Sequence, residues 1–343
     1  MALPVLEPDH LAVFVFGPGL GELILARVPP DTWLVVDGCA SQGGYAQQVL
    51  DHYQATPRLI VLTHPHDDHS KGLTEVIVRA TPRDRMEEWP RIGMVLPPGG
   101  GGAARGDDLA AGVTQQVIAA VESRWRASPE CKWEMFSGDV EPLGEATVRV
   151  LSPEATVRKE KLALWSRGKW FDKNVISSAL LLEWRGCRVV LGSDLVEVPR
   201  DGWTTCLTLD PGLGDHDLFK VPHHGADKAL HAEILRPGTR VPEPLRVIAP
   251  FSIKSLPRFT KGKGVERIHQ QAGTTYLTGL PRAHASQSGA VEERSLAELA
   301  RHRGLVFHPT TRGFPDCFVM VSFAPGGGPP AVLQGPGSIR VLR

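Results

Sequence analysis

An excess of charge of either sign is missing from this chain: 38 Lys and Arg stand against 38 Asp and Glu, so the formal net charge at pH 7 is zero. Nothing global therefore marks a nucleic-acid coat or a membrane-surface protein. Long apolar runs are missing too. No uninterrupted stretch approaches the roughly 20 residues that a spanning helix needs, and the segment Met1 to His10 lacks the basic region and apolar core of an export signal. A soluble, cytoplasmic protein with no membrane partner is the expectation. Cysteine is scarce and unpaired. Cys39, Cys131, Cys187, Cys206 and Cys317 are odd in number and never spaced Cys-x-x-Cys, which argues against disulfide staples and a structural zinc knuckle and for buried free thiols. What remains is a 343-residue chain with a 42% apolar share, enough for one large domain or two small ones.

Histidine and aspartate are concentrated at one point. The apolar run Leu59-Ile60-Val61-Leu62 reads as a short buried strand, and it is followed at once by Thr63-His64-Pro65-His66-Asp67-Asp68-His69. A strand that stops in His-x-His-x-Asp-His aims several ligand-type side chains at one place beyond a sheet edge. Borderline metals such as zinc take imidazole nitrogens and carboxylate oxygens in that way.

The motif His64-x-His66-x-Asp68-His69 resembles the signature of the metallo-β-lactamase fold superfamily. The resemblance implies an α+β fold, a four-layer αββα sandwich, with one or two metal ions between the sheet edges. It also implies roles for later strand ends. Arg188-Val189-Val190-Leu191-Gly192-Ser193-Asp194 ends in an acid that in the superfamily binds one metal or bridges two. Leu218-Phe219-Lys220-Val221-Pro222-His223-His224-Gly225 supplies a last histidine, with His224 favoured and His223 kept as a supporting or substrate-facing group. Adjacent side chains leaving a strand point to opposite faces, so the two are not expected on one ion. Upstream, Trp33 to Gly38 is a strand ending in Asp37. In the superfamily an acid here orients the metal ligands by hydrogen bonds; a turn aspartate reads equally well.

The order Arg149-Val150-Leu151-Ser152-Pro153, then Asn174 to Leu182, then Gly-Ser-Asp, then Lys-Val-Pro-His-His-Gly is similar to the hydrolase domain of ComEC-type DNA-uptake proteins and their soluble relatives. The likeness covers roughly residues 10 to 280. By that resemblance the metal set is His64, His66, Asp68, His69, Asp194 and His224, holding Zn2+ as one or two ions, with Mn2+ as the alternative. No histidine lies between His69 and His216, where many members of the superfamily supply a third one. The first ion would then have His64, His66 and Asp194, and the second Asp68, His69, Asp194 and His224. Cys39, two residues after Asp37, is a remote further candidate. Lys261-Gly262-Lys263-Gly264 stands where the group often has a His-Pro pair.

The rest of the chain reads as strands and helices around these points. Gly17 to Glu22 joins two apolar runs as a hairpin; it lacks the Lys-Ser/Thr ending of a phosphate loop. Helices are expected over Tyr45 to His52, Lys71 to Arg79 and Leu109 to Arg126, the last with Val113, Val117, Val121, Ile118 and Trp125 on a buried face. The Gly-rich stretch 97–102 is a loop. Val140 to Leu151 and Ile176 to Leu191 supply a second sheet. Lys159 to Lys173, with Trp165, Trp170 and Phe171, reads equally as a substrate wall or as a surface helix with a buried stripe. The expected organisation is a hydrolase domain over 1–280 and an extension over 281–343, with a helix from Val291 to His302, packed on the core.

Metal ions in such a site lower the pKa of a coordinated water to about 7 and polarise the scissile group. Asp68 would be a ligand and a proton acceptor. His223, Asn174, Ser178 and Lys220 are candidates for contacts to substrate oxygens or the leaving group. The expected activity is a metal-dependent phosphodiesterase or nuclease acting on nucleic acid or nucleotides. A lactone or thioester hydrolase shares the chemistry, a β-lactamase is disfavoured without an export signal, and a non-catalytic binding module is the third class; fold alone does not choose between them.

Overall fold

The protein is described by a computed structural model at residues 3–17, 21–39, 45–96, 112–251, 254, 256–258, 262–279, 305–307, 317–335 and 338–341. The Gly-rich stretch at 97–102, the hairpin tip at 18–20, Lys261 and the expected helix Val291 to His302 lie outside these residues.

Two mixed sheets face each other. The first comprises β1 (Leu11–Phe16), β2 (Leu23–Val28), β3 (Thr32–Val36), β4 (Pro57–Leu62), β5 (Arg91–Met94) and β6 (Lys132–Glu134). The second takes β7 (Val140–Leu143), β8 (Ala146–Val150), β9 (Leu180–Trp184), β10 (Cys187–Leu191), β11 (Leu218–Lys220), β12 (Leu245–Ile248) and β13 (Thr274–Leu277). The later strands β14 (Leu305–Phe307), β15 (Phe318–Phe323), β16 (Ala331–Gln334) and β17 (Ile339–Val341) divide between them. The resulting orders are β16-β15-β1-β2-β3-β4-β5-β6 and β14-β17-β13-β12-β11-β10-β9-β8-β7. The stretch after residue 281, expected to pack on the core, thus hydrogen-bonds into both sheets: β15 pairs antiparallel with β1 and β17 with β13.

Strand chemistry explains the layers. In β1 and β4, alternate side chains leave opposite faces. Val13, Val15, Leu59 and Val61 enter the core between the sheets, together with Val148, Leu182, Val189 and Val247. Phe14, Phe16, Ile60 and Leu62 face the other way. There they pack under α1 (Tyr45–His52), α3 (Leu73–Ala80), which follows the short α2 (Asp67–Ser70), and α4 (Val113–Ala127). Val117, Val121 and Trp125 are the buried stripe of α4. On the far side, Leu181, Val190, Phe219 and Ile248 meet residues of α6 (Trp203–Leu209), α7 (Ala232–Leu235) and α8 (Val265–His269). The strands buried on both faces are mostly apolar, as sandwiched sheets require, with Lys220 in β11 and Arg246 in β12 as buried charged exceptions. The architecture is an αββα sandwich. α5 (Ala155–Trp165) caps one end, where Trp165 and Phe171 join Val95, Leu96 and Ile176 in a separate small core. Among the described residues no helix is long and apolar enough to cross a membrane.

β3, β4 and β5 run parallel, as do β10, β11, β12 and β13. Their carboxyl ends open on the same edge of the sandwich, the position where side chains from loops of open parallel sheets converge.

Candidate metal centre

Each ligand-type residue leaves the sheet within seven residues of a strand end. Asp37 follows β3, His64 to His69 follow β4, Asp194 follows β10, and His223 and His224 follow β11. Four of the chain's non-glycine residues with left-handed backbone are here: Asp37 (φ 61°), Ser193 (44°), His223 (47°) and His224 (54°). Such conformations cost about 1–3 kcal/mol each and persist where surroundings over-determine them.

The surroundings are hydrogen bonds that also fix the imidazoles. Asp37 accepts from the Thr63 amide (2.8 Å), the Thr63 hydroxyl (2.6 Å) and His69 Nδ1 (2.7 Å). His69 therefore carries its proton on Nδ1, and its Nε2 points away from Asp37 towards Asp194 Oδ1 (3.4 Å) and Asp68 Oδ2 (3.9 Å). His224 Nδ1 donates to the Ala249 carbonyl (2.8 Å), leaving Nε2 3.3 Å from Asp68 Oδ2 and 3.7 Å from Asp194 Oδ1. A hydroxyl chain sets the third ring. Ser193 donates to Thr63 (2.6 Å), so Ser177 donates to Ser193 (2.7 Å). With those protons committed, the two oxygens beside His64 Nδ1, Thr63 Oγ1 at 3.2 Å and Ser177 Oγ at 3.3 Å, accept from it. His64 Nε2 then faces His66 Nδ1 (2.9 Å) and Asp194 Oδ2 (3.8 Å).

Among the described residues the donors gather into two groups that share Asp194. One is Glu22, His69, Asp194 and His224; the other is His64, His66 and Asp194; in each, the ligand atoms lie within 4.8 Å of one another. Asp68 sits against the first group through His224. His69 Nε2 and Asp194 Oδ1 are buried with no hydrogen-bond partner. Orphaned polar atoms at such a depth are costly, and a divalent cation between them would satisfy both. The nitrogen and oxygen donor set suits zinc, manganese or iron. On geometry and donor chemistry the residues fit a metal centre.

Without a cation, the buried carboxylates and imidazoles compensate one another. Burial opposes ionisation of Asp194, but His224, His69 and His223 outweigh it and hold the carboxyl well below its usual range. Asp68 is likewise opposed by burial, yet the hydrogen bond from His224 and the charge on His69 keep it at about 2. Burial works against the charged form of His69, and Asp194 and Asp37 overcome it, raising that imidazole well above the ordinary value. Burial pushes His64 well down, and it pushes His66 and His223 down to about 4. Lys173 acts weakly on His66, and Lys228, itself paired with Asp172 (3.4 Å), acts with Lys254 on His223.

The sequence pattern did not point to Glu22, Ser177 or Ser193. Glu22 is fully buried, ion-paired with buried Lys220, and its amide donates to the Asp68 carbonyl (3.2 Å). Lys220 also donates to the Ser193 carbonyl (3.0 Å), so it is bound inside the fold below the site. Among the described residues no hydrogen bond ties the Ser178 or Asn174 side chain to the cluster; Ser177, one residue away, makes that contact. Asn174 is nevertheless buried with Oδ1 unpartnered, on the turn Lys173–Ile176 capped by Asp172. Cys39 is buried, outside both donor groups, and held protonated by burial and then by Glu22.

No protein-family model matches the chain, and no curated protein does. Among solved structures it is similar to the metallo-β-lactamase fold protein YhfI from Bacillus subtilis, at 13% identity over 80% of this chain and 98% of that one, with a TM-score of 0.46. It is also similar to a metallo-β-lactamase from Staphylococcus aureus, at 13% identity over 66% of this chain and 59% of that one, TM-score 0.36. CmlA, a diiron β-hydroxylase from Streptomyces venezuelae, is similar at 14% identity over 64% of this chain, TM-score 0.35; the chain spans 35% of CmlA's length.

Proposed function

We propose that the chain is a metal-dependent hydrolase of the metallo-β-lactamase type that cleaves phosphodiesters of nucleic acid or nucleotides. The observation that carries the hydrolase reading is the buried convergence of His64, His66, His69, His224 and Asp194 with unpartnered His69 Nε2 and Asp194 Oδ1. In this reading His64, His66 and Asp194 hold one ion, and Asp68, His69, Asp194 and His224 hold the second. Divalent ions there supply Lewis acidity towards a phosphoryl oxygen and make a water acidic enough to attack near neutral pH. Asp37, Ser177 and Ala249 lock the ring orientations. Asp68 is the acid of the set that reaches solvent, with 17% of its side chain exposed, and it is ionised at neutral pH. In this reading it would take a proton from the attacking water.

Phosphodiester over lactone or thioester is favoured by the opening. The positive charges of Lys173, Lys228 and Lys254 are felt at His66 and His223 although the whole chain is neutral, which suits an anionic substrate. Asn174 offers a further polar contact beside Lys173.

The test is turnover of bis-p-nitrophenyl phosphate by protein reconstituted with zinc or manganese, beside lactone and thioester substrates. Phosphodiester cleavage that drops at least a hundredfold in Asp68→Ala is the expected result. Cleavage of the lactone or thioester alone would replace the substrate half of the reading. Full metal loading with no hydrolysis of any of the three would overturn it.

A further inference from the structure

The two donor groups are unequal. Beside the shared Asp194, His64 and His66 are two imidazoles, whereas zinc takes three protein ligands and leaves a position for water at catalytic sites. The sequence contains no histidine between His69 and His216 to supply a third.

His223 stands at that place by another route. Two successive left-handed residues, His223 and His224, turn the chain sharply after β11. Their rings leave at 82° to each other with centroids 6.3 Å apart. They approach the two oxygens of one carboxylate from different sides. His224 Nε2 lies 3.7 Å from Asp194 Oδ1, the oxygen that His69 Nε2 faces at 3.4 Å. His223 Nε2 lies 3.9 Å from Asp194 Oδ2, the oxygen that His64 Nε2 faces at 3.8 Å. The backbone of His223 is pinned from both sides: its amide donates to the Ser193 carbonyl (2.8 Å), and its carbonyl accepts from Ala226 (2.9 Å). The ring is 3% exposed; its Nε2, turned to Asp194, is 3.9 Å from the carboxylate, beyond a hydrogen bond, and its Nδ1 is unpartnered. A buried imidazole that makes no hydrogen bond through either nitrogen, with Nε2 aimed at a shared carboxylate, lacks a structural reason to be there unless something binds it.

We infer that His223 is the third imidazole of the site built by His64, His66 and Asp194, taking over the role of the histidine absent between His69 and His216. This rests on the two-ion reading above and assigns within it. His223 stands just outside the 4.8 Å group of His64, His66 and Asp194, so its ring would close on the ion, and the first position would then have three nitrogens and one carboxylate, a set suited to zinc. The second, with His69, His224, Asp68, Asp194 and the neighbouring Glu22, is richer in oxygen and accepts harder ions such as manganese more readily. His223 would therefore be a ligand, not a proton donor to the leaving group.

The experiment titrates metal-free protein with Co2+, following visible absorption and bound-metal stoichiometry, for wild type, His223→Ala, His223→Cys and His224→Ala. Circular dichroism checks that each is folded. His223→Ala should lose at least tenfold in affinity for one of two ions while keeping the other, and His224→Ala should affect the other ion. His223→Cys should restore binding with a sulfur-to-cobalt charge-transfer band absent from wild type, which a positioning or proton-transfer role would not produce. Two ions bound by His223→Ala with wild-type affinities would overturn the assignment, as would folded His223→Cys without the band. None of these readouts uses substrate. Wild type that binds two ions and hydrolyses nothing sinks the proposed function and leaves the ligand standing. An active wild type whose His223→Ala variant stays fully loaded sinks the ligand alone. Wild type that binds no ion sinks both.

Discussion

At the scale of single residues, the site depends on groups that touch no substrate. Asp37 accepts three hydrogen bonds in a buried position and thereby decides which nitrogen of His69 is free. Asp37→Asn keeps the shape but offers an N–H where His69 needs an acceptor. We expect metal affinity to fall about 10- to 100-fold, measured by competition with a chromophoric chelator. Asp201 lies away from the site and shows the opposite effect of burial. Desolvation lifts its carboxyl to about 6, with Glu154 and Glu197 adding repulsion against hydrogen bonds that pull it down. The folded chain therefore holds a proton that the unfolded chain releases near pH 4, and stability is lost as pH rises from about 4 to about 6. His66 and His223, held down at about 4, work in the other direction, so the difference between wild type and Asp201→Asn isolates the effect. That difference should change by on the order of 2 kcal/mol between pH 4 and pH 7 in urea denaturation, and a pH-independent difference would refute the account. Residues of this kind set the limit of what the sequence could tell. The His64 to His69 run is legible because chain spacing alone gathers its donors. Glu22 and Ser177 are not: each looks like a turn or strand-end residue until Lys220, 198 positions further on, or Ser193 closes over it.

At the scale of elements, the strands ending in acids or histidines were readable because an apolar run cut off by polar residues has few other interpretations. The hairpin of β1 and β2 and helix α1 occur where the pattern indicated. The segment Lys159 to Lys173 was ambiguous because its aromatics serve different ends. Trp165 and Phe171 are buried in a small core, while Trp170 is 69% exposed; a helical period says nothing about which aromatic meets a neighbour. The start of α5 is set by Glu154, whose carboxylate accepts from the Thr156 (2.7 Å) and Val157 (3.3 Å) amides. Glu154→Ala should cost about 1 kcal/mol in chemical denaturation without changing metal binding. The hairpin turn is held more tightly. Gly21 has φ of 143°, and a Cβ there would lie 2.1 Å from the Asp68 carbonyl oxygen. Gly21→Ala must push the Asp68 loop away, so binding of the ion beside His224 should weaken while the ion beside His64 stays; equal loss at both would argue for general damage.

At the scale of the whole molecule, the site is a seam. The first sheet contributes Glu22, Asp37 and the His64 to His69 loop, and the second contributes Asp194, His223 and His224. The Thr63–Ser193 hydrogen bond and the Glu22–Lys220 ion pair cross the same gap. Ions bound there would clamp the sheets. Saturating metal at a hundred times its dissociation constant adds about 2.7 kcal/mol per ion, so a chelator should lower the melting temperature by several degrees and Asp194→Ala should abolish that difference. The strand register carries a separate consequence, for biosynthesis. β1 is covered on one edge by β2 almost as soon as it is made, but its other edge belongs to β15, about 300 residues later in synthesis. Until then an apolar strand, Leu11 to Phe16, presents an open ladder of amides and carbonyls to every other chain nearby. Yield of native protein should thus depend on how quickly translation delivers β15, or on what shields the nascent edge in the meantime.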